Sequence, residues 1–206
     1  MDPSDSRYPV PSRPHRVEEV IRKSRFITAG ARATDGEAAQ AFIESIRREF
    51  PDATHHCWAY VAGPPGDTAS VGLSDDGEPH GTAGRPMLTT LLHSGVGEIV
   101  AVCTRYYGGT KLGTGGLSRA YSGGVKLLLE TLTTQLRVDR ITALVTVDYG
   151  SIDALHRALP EIEAEIREED YGERVECQIS LPRENEGSLI EIVAGVTKGG
   201  GIVRVL

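Results

Sequence analysis

Hydrophobic and polar residues recur along the chain with two different periods, which predict a mixture of helices and strands. The apolar residues of segment 39–50 recur at spacings of three and four and predict an amphipathic helix that Pro51 ends. Residues 55–61 alternate in character and predict a strand, and the wholly apolar residues 99–103 predict a buried strand.

Turn and capping residues predict where these elements begin and end. Thr34 and Glu37 have the spacing of a capping box, which predicts the start of the first helix. Residues 17–33 predict two short strands with Lys23-Ser24-Arg25 at their join. The helix-like run that follows the glycine-rich segment is expected to end near Leu136.

The last third of the chain has a pattern of its own. After a linker at residues 137–140, residues 141–206 predict the order strand, helix, strand, strand, helix, strand. That order is the split, ferredoxin-like plan. We therefore predict an α+β protein with two domains, residues 17–136 and residues 141–206, preceded by residues 1–16 as a flexible, proline-containing tail.

Composition restricts the class of protein. The chain has 206 residues, of which 39% are hydrophobic and 25% charged, as in ordinary globular proteins. None of its apolar runs approaches the ~20 residues of a membrane span, so no membrane partner is predicted. Its three cysteines are far apart, which favours the reducing cytoplasm and argues against a disulfide framework or a zinc site.

Charge is distributed unevenly. The net charge is −7; residues 1–136 hold 14 Lys and Arg against 15 Asp and Glu, whereas residues 137–206 hold 8 against 14. A polyanion such as RNA should therefore meet the first domain, and only through a local cationic face. The acidic second domain could instead dock a basic protein partner.

The segment Thr104–Tyr121 carries the strongest chemical signal. No Asp or Glu occurs between Glu98 and Glu130, and the segment follows a buried strand and leads into a helix. Glycine lets a backbone approach a ligand closely, and amides at a helix start attract anions. The predicted anion or nucleic-acid site consists of Arg105, Tyr106, Lys111, Gly113, Gly115, Gly116 and Arg119, with Lys23 and Arg25 as a basic lip. Alternatively, the glycines only make turns and the cations are solvated.

Standard nucleotide motifs do not explain this segment. A Walker loop needs a Lys-Ser/Thr pair after its glycines, and the dinucleotide fingerprint needs a glycine where Ser118 stands. We therefore predict no cofactor.

A second candidate site is acidic. Asp75, Asp76 and Glu78 lie within four residues, near the predicted strand that carries His56. They could orient a base or hold a divalent cation, although the spacing is not that of a calcium loop. Alternatively, one carboxylate caps a helix or pairs with an arginine of the glycine-rich segment. Because His55 and His56 point to opposite faces of a strand, no metal site is predicted.

Four segments together resemble the IMPACT/YigZ family in its bacterial two-domain form. They are KSRFI (23–27), HHCWAYVAG (55–63), SDDGEPHGTAGRPML (74–88) and GEIVAVCTRYYGGTKLGTGGLSRAY (97–121). The resemblance extends over residues 17–206. It implies a first domain like domain two of small-subunit ribosomal protein five and a second domain like the late domains of elongation factor G.

The resemblance also implies a link to the regulation of translation and a nucleic-acid-binding role. It provides no catalytic set. Three hypotheses follow from the residues and the resemblance together. The first is an RNA- or ribosome-associated regulator that binds phosphates through the glycine-rich segment. The second is an enzyme acting on a small phosphorylated or nucleotide substrate, and the third is a protein–protein docking module.

Overall fold

The computed structural model describes residues 7–206, which divide into two compact units. Tyr8–Arg137 form the first unit, and Val138–Leu206 form the second together with Arg7. Each unit combines helices with an antiparallel sheet, which confirms the α+β class. Within residues 7–206, every helix is too short or too polar to cross a membrane.

A five-stranded antiparallel sheet is the centre of the first unit. Its strands are β2 (His15–Ile21), β3 (Ser24–Arg32), β4 (His55–Val61), β5 (Val71–Ser74) and β6 (Ile99–Tyr106), in the order β2-β3-β6-β4-β5. The helices of this unit are α1 (Gly36–Glu49), α2 (Gly84–Leu92) and α3 (Thr114–Thr131). Strand β6 pairs with β3 on one side and β4 on the other, so its apolar residues lie in the middle of the unit.

Alternation along the strands sends side chains to two separate cores. Ala101 and Cys103 of β6 pack with α2 and α3. Val100 and Val102 point the other way and pack with Ala39, Ile43 and Ile46 of α1. The sheet therefore lies between α1 on one face and the α2–α3 pair on the other.

The chain differs from the sequence prediction at the start of the first helix. Asp35, rather than Thr34, is the N-cap of α1, and its carboxylate accepts a hydrogen bond from Ala38 N at 2.8 Å. The predicted capping box placed the boundary one residue early. Asp and Thr are both good caps, and the extended backbone at Asp35 decides between them.

Both ends of the first unit also differ from the prediction. Residues 7–16 of the predicted flexible tail contain strand β1 (Arg7–Pro11) and the start of β2, while residues 1–6 lie outside the described residues. Helix α3 ends at Thr131 instead of near Leu136, and β7 (Thr134–Val138) follows. Strands β1 and β7 form a two-stranded sheet. Their pairing spans more than 120 residues of sequence, so neither local pattern could predict it.

The second unit has the order expected from its sequence. Its elements are β8 (Arg140–Val147), α4 (Ile152–Ala158), β9 (Glu165–Tyr171), β10 (Val175–Pro182), α5 (Glu186–Thr197) and β11 (Ile202–Val205). The sheet order is β11-β8-β10-β9, with every pairing antiparallel. This arrangement is the ferredoxin-like plan. Leu155 of α4 and Leu189 of α5 are fully buried in its core.

Candidate functional site

The glycine-rich connection between β6 and α3 runs from Tyr107 to Gly113, and it lies against the turn between β2 and β3. Gly108 N donates a hydrogen bond to Ser24 Oγ at 3.2 Å. A Cβ at Gly108 would overlap the backbone of Lys23, so only glycine fits at this approach. The hairpin turn and the glycine-rich loop are thereby held together.

Arg105 lies beneath this loop, in the interior of the unit. It is only 5% exposed, its Nη1 donates to Glu78 Oε1, and its Nη2 donates to Ser24 Oγ at 3.3 Å. Its guanidinium also packs against the Phe26 and Tyr107 rings, with each centroid 5.4 Å from Cζ. The structure therefore differs from the expectation that Arg105 neutralises a phosphate at the surface, because Glu78 already compensates its charge.

Glu78 is the acceptor at the centre of this buried cluster. Its Oε1 also accepts a hydrogen bond from Tyr121 Oη at 2.7 Å, and His55 Nε2 lies 4.0 Å away. Burial raises the pKa of Tyr121, so its hydroxyl stays protonated and donates. Glu78 thus connects the segment before α2 with β6 and α3.

Asp75 holds the start of α2. Its carboxylate accepts hydrogen bonds from the backbone N–H groups of Gly81, Ala83 and Gly84 at 2.7–3.0 Å. Desolvation is the largest single influence and raises the pKa of Asp75, but the three amide hydrogen bonds together outweigh it and lower that pKa. The side chain therefore acts as a charged cap for a helix whose own N-cap residue, Ala83, has no capping side chain.

Asp76 and His56 are also engaged within the fold. Asp76 Oδ2 accepts from His56 N at 2.6 Å, and Oδ1 accepts from Arg47 Nη2 at 3.3 Å. The His56 ring is buried, with Nδ1 3.1 Å from Thr104 Oγ1. Across residues 7–206, no three His, Cys, Asp or Glu side chains are grouped so as to hold a metal ion. Within this acidic segment, Asp75 caps α2, Asp76 contacts Arg47 of α1, and Glu78 pairs with Arg105 of the glycine-rich segment.

Of the two residues of the basic lip, Arg25 forms an ion pair, whereas Lys23 forms none within residues 7–206. Arg25 pairs with Glu18 at 2.7 Å and packs over the Tyr106 ring, whose hydroxyl donates to Asp52. Lys23 is exposed in the β2–β3 turn. The sequence interpretation missed its exposed neighbour Arg22; both have positive φ, as a tight two-residue hairpin turn requires.

Lys111 and Arg119 are exposed near the first turn of α3. Gly113 is the N-cap, with φ +74°, and brings no side chain to the helix start. A Cβ at Gly115 would lie 3.6 Å from Arg119 Nη1, so this guanidinium folds back along the first turn. Gly116 completes that turn, which contains no acidic residue. The amides of an α-helix's first turn lack intrahelical acceptors, so this end of α3 can receive an anion.

A pocket of about 490 Å³ opens beside this helix start. Its lining includes Arg105, Tyr107, Lys111 and Thr114. Tyr107, which the sequence offered with Trp58 and Tyr106 as a ring on which a base could stack, is 46% exposed. Tyr106 is the last residue of β6, whereas Tyr107 is the first residue of the loop.

Comparison with known proteins identifies the family. Residues 22–129 match the model of the Impact N-terminal domain, and residues 145–199 match a domain of unknown function, DUF1949. The chain is 46% identical over 190 residues to the IMPACT family member YigZ of Escherichia coli strain K12, covering 92% of this chain and 93% of that protein. The chain belongs to the IMPACT family.

Other IMPACT family proteins agree over nearly the same length. The chain is 38% identical to an IMPACT family member from Haemophilus influenzae, and the match covers 98% of both chains. It is 36% identical to YvyE of Bacillus subtilis strain 168, and that match covers 91% of this chain and 85% of YvyE. A solved structure described as that of a hypothetical protein is 44% identical and superposes with a TM-score of 0.70, covering 98% of this chain and 97% of that one.

Strand β9 carries four of the fourteen acidic residues within 138–206. This strand ends the four-stranded sheet and carries Glu165, Glu168, Glu169 and Asp170. Glu169 also lies 2.6 Å from His156 Nε2. The other ten acidic residues lie elsewhere in residues 138–206, so the negative charge of this unit is not confined to one edge.

Proposed function

We propose that this IMPACT family protein regulates translation by binding single-stranded RNA, free or within the ribosome, through the surface around the start of α3. With such a partner it would act in the cytoplasm. We call this surface the loop face and define it by Arg22, Lys23, Tyr107, Lys111 and Arg119. The observation that carries the proposal is that two of these cations, Lys111 and Arg119, flank an uncapped helix N-terminus that contains no acid.

The charge of the loop face is available to a ligand. Within residues 7–206, none of Arg22, Lys23, Lys111 and Arg119 forms an ion pair, in contrast to Arg25 and Arg105. Phosphate groups bound by such residues release counterions, and this release supplies much of the affinity for nucleic acid. The positive end of the α3 dipole adds to the attraction.

An aromatic ring beside these cations favours unpaired bases. Tyr107 is nearly half exposed, and Arg105 supports one side of its ring. Unstacked bases of single-stranded RNA commonly stack on exposed aromatic rings, at about 1–3 kcal/mol per base. Cations that bind phosphate groups, together with an exposed ring on which a base can stack, thus favour single-stranded RNA over a duplex as the ligand.

Fluorescence anisotropy with a 3′-labelled single-stranded RNA of about twelve nucleotides tests the proposal. The double variant Lys111→Ala, Arg119→Ala should bind at least ~10-fold more weakly near 0.1 M salt. Its plot of log K against log salt should become shallower by about 1.4, because each phosphate contact to a single strand contributes about 0.7.

The matched control removes the same two charges elsewhere. Lys126 is exposed on α3 beyond the first turn, and Arg48 is exposed on α1, which packs on the other face of the sheet. The variant Lys126→Ala, Arg48→Ala should bind like the wild type. Equal losses in the two double variants would show that only the net charge matters, and the loop face would no longer be the proposed RNA site.

A further inference from the structure

The pocket beside α3 has the size and the mixed lining of a small-molecule site. Its volume of about 490 Å³ falls within the ~300–1,000 Å³ that is usual for such sites. Arg105, Lys111 and Thr114 contribute hydrogen-bond donors, whereas Leu112 and Leu117 contribute an apolar wall. The lining also includes the Glu78 carboxylate, which Arg105 compensates, so the pocket offers donors for an anion and apolar side chains for a flat group.

Arg105, one of these lining residues, has a buried donor without a partner in the described part of the chain. Although the residue is 95% buried, being 5% exposed, its Nε–H has no acceptor anywhere in residues 7–206. The other two guanidinium nitrogens are fixed by Glu78 and Ser24. A buried N–H without an acceptor costs about 1–3 kcal/mol, and such groups are rare in native structures. An acceptor oxygen from a ligand would relieve this cost.

The start of α3 opens on the same pocket. Gly113 and Thr114 both line it, and a Cβ added at Gly113 would meet no atom within 4 Å. An oxygen can therefore approach the first-turn amides without meeting a side chain. The lining thus combines the ammonium group of Lys111 and the amides of α3 with Arg105, whose Nε–H lies below the pocket surface and whose charge the Glu78 carboxylate, also in the lining, compensates.

We propose that this pocket binds the phosphate monoester of a nucleoside 5′-monophosphate, either as the free nucleotide or as the first residue of a 5′-phosphorylated RNA. The inference rests on the loop face as the RNA-binding surface and assigns its deepest part to one chemical group. A monoester offers three terminal oxygens and nearly two negative charges at pH 7, whereas an internal diester offers two oxygens and one charge. The apolar wall would contact the base.

The first experiment compares ligands on the full-length chain. Two single-stranded RNAs of the same sequence, one with a 5′-phosphate and one with a 5′-hydroxyl, are titrated by anisotropy. AMP and adenosine are titrated by calorimetry. We expect the 5′-phosphorylated RNA to bind about 10-fold more tightly than its 5′-hydroxyl counterpart, and AMP to bind at least ~10-fold more tightly than adenosine, which corresponds to about 1.4 kcal/mol in each case.

The second experiment blocks the anion subsite without endangering the helix. In Thr114→Glu a carboxylate stands in the first turn of α3, where the helix dipole stabilises it but where it repels a phosphate. The 10-fold preference for a 5′-phosphate should disappear. Gly123→Glu adds the same charge about 13 Å further along α3, at a position with open space around its Cβ, and should retain the preference.

A variant of Arg105 tests its Nε directly. Arg105→Lys keeps a positive charge against Glu78 but lacks the Nε–H, so it too should lose the preference. Because this variant could unfold the first unit, the Thr114 and Gly123 variants carry the test if its thermal unfolding is altered.

The outcomes separate this inference from the proposed function. If both RNAs bind equally well and AMP does not bind, the phosphate pocket is overturned while RNA binding by the loop face stands. If AMP binds and neither RNA does, the pocket stands with the free nucleotide as its ligand, and the proposed RNA function fails. If no ligand distinguishes Thr114→Glu from Gly123→Glu, the assignment of the pocket is overturned.

Discussion

Arg105 and Glu78 compensate each other's charge inside the first unit, where both residues are less than 10% exposed. Taking two charges out of water is costly, and two further hydrogen bonds help to offset that cost: Arg105 Nη2 donates to Ser24 Oγ, and Tyr121 Oη donates to Glu78 Oε1. Losing one partner of such a pair typically costs ~3–5 kcal/mol. Both residues line the pocket, their charges compensate each other, and the Nε–H is the one guanidinium nitrogen of Arg105 without a partner in residues 7–206.

His56 makes the stability of the protein depend on pH. Burial lowers the pKa of the His56 imidazole below its ordinary value of 6.5, although the nearby Asp76 carboxylate partly opposes the shift. Below about pH 6.5 the unfolded chain takes up a proton that folded His56 resists. The stability present above that pH is thus lost progressively as the pH falls towards the folded-state pKa.

We expect His56→Gln to flatten this dependence. Urea unfolding of the wild type and the variant between pH 7.5 and pH 5 should show a smaller decline in the free energy of unfolding for the variant. Glutamine is uncharged throughout this range and can still hydrogen-bond Thr104. Parallel curves for the two proteins would contradict the assignment.

Helix α3 has two adjacent glycines with opposite surroundings. A Cβ at Gly124 would overlap Thr28 Oγ1 on β3, because the helix approaches the sheet closely there. A Cβ at Gly123 would meet no atom within 4 Å. Glycine in a helix interior costs about 1 kcal/mol relative to alanine, so packing justifies this cost at only one of the two positions.

This contrast predicts opposite effects of the same substitution. Gly123→Ala should raise the free energy of unfolding by up to ~1 kcal/mol through helix propensity. Gly124→Ala should lower it by roughly 1–3 kcal/mol, because the buried Thr28 would have to move. Urea titrations monitored by circular dichroism would measure both. A stabilising Gly124→Ala would show that α3 does not depend on this close approach.

Periodicity and turn residues predicted most of the helices and strands. An element with one buried face carries apolar residues at a regular spacing, which its own sequence shows. These local patterns missed the β1–β7 pairing, since a strand's partner more than 120 residues away leaves no local trace. The candidate site likewise combines a feature that is visible in the local sequence with a contact between distant segments. An acid-free, glycine-rich helix start was visible in the sequence, but the pairing of Arg105 with Glu78, 27 residues apart, arises only when β6 passes the segment before α2.

The net negative charge of the molecule comes almost entirely from the last third of the chain. Residues 137–206 account for −6 of the net charge of −7. RNA bound by the loop face should therefore contact the first unit alone, because the acidic second unit repels phosphates.

Ultraviolet crosslinking of a bound single-stranded RNA, followed by mass spectrometry of the crosslinked peptides, would test this distribution. Crosslinks should fall within residues 8–137, with the peptide containing Tyr107 among them. A crosslink yield concentrated in residues 138–206 would contradict it. The Lys111→Ala, Arg119→Ala variant should reduce the yield throughout.

The acidic strand β9 has a consequence for how copies of the protein behave in a crowded cell. An outer strand leaves backbone groups along one side that could pair with a strand from another molecule and begin aggregation. Because β9 is mostly glutamate and aspartate, two such edges repel each other before their backbones can meet. We therefore expect these carboxylates to oppose pairing between the β9 strands of two molecules.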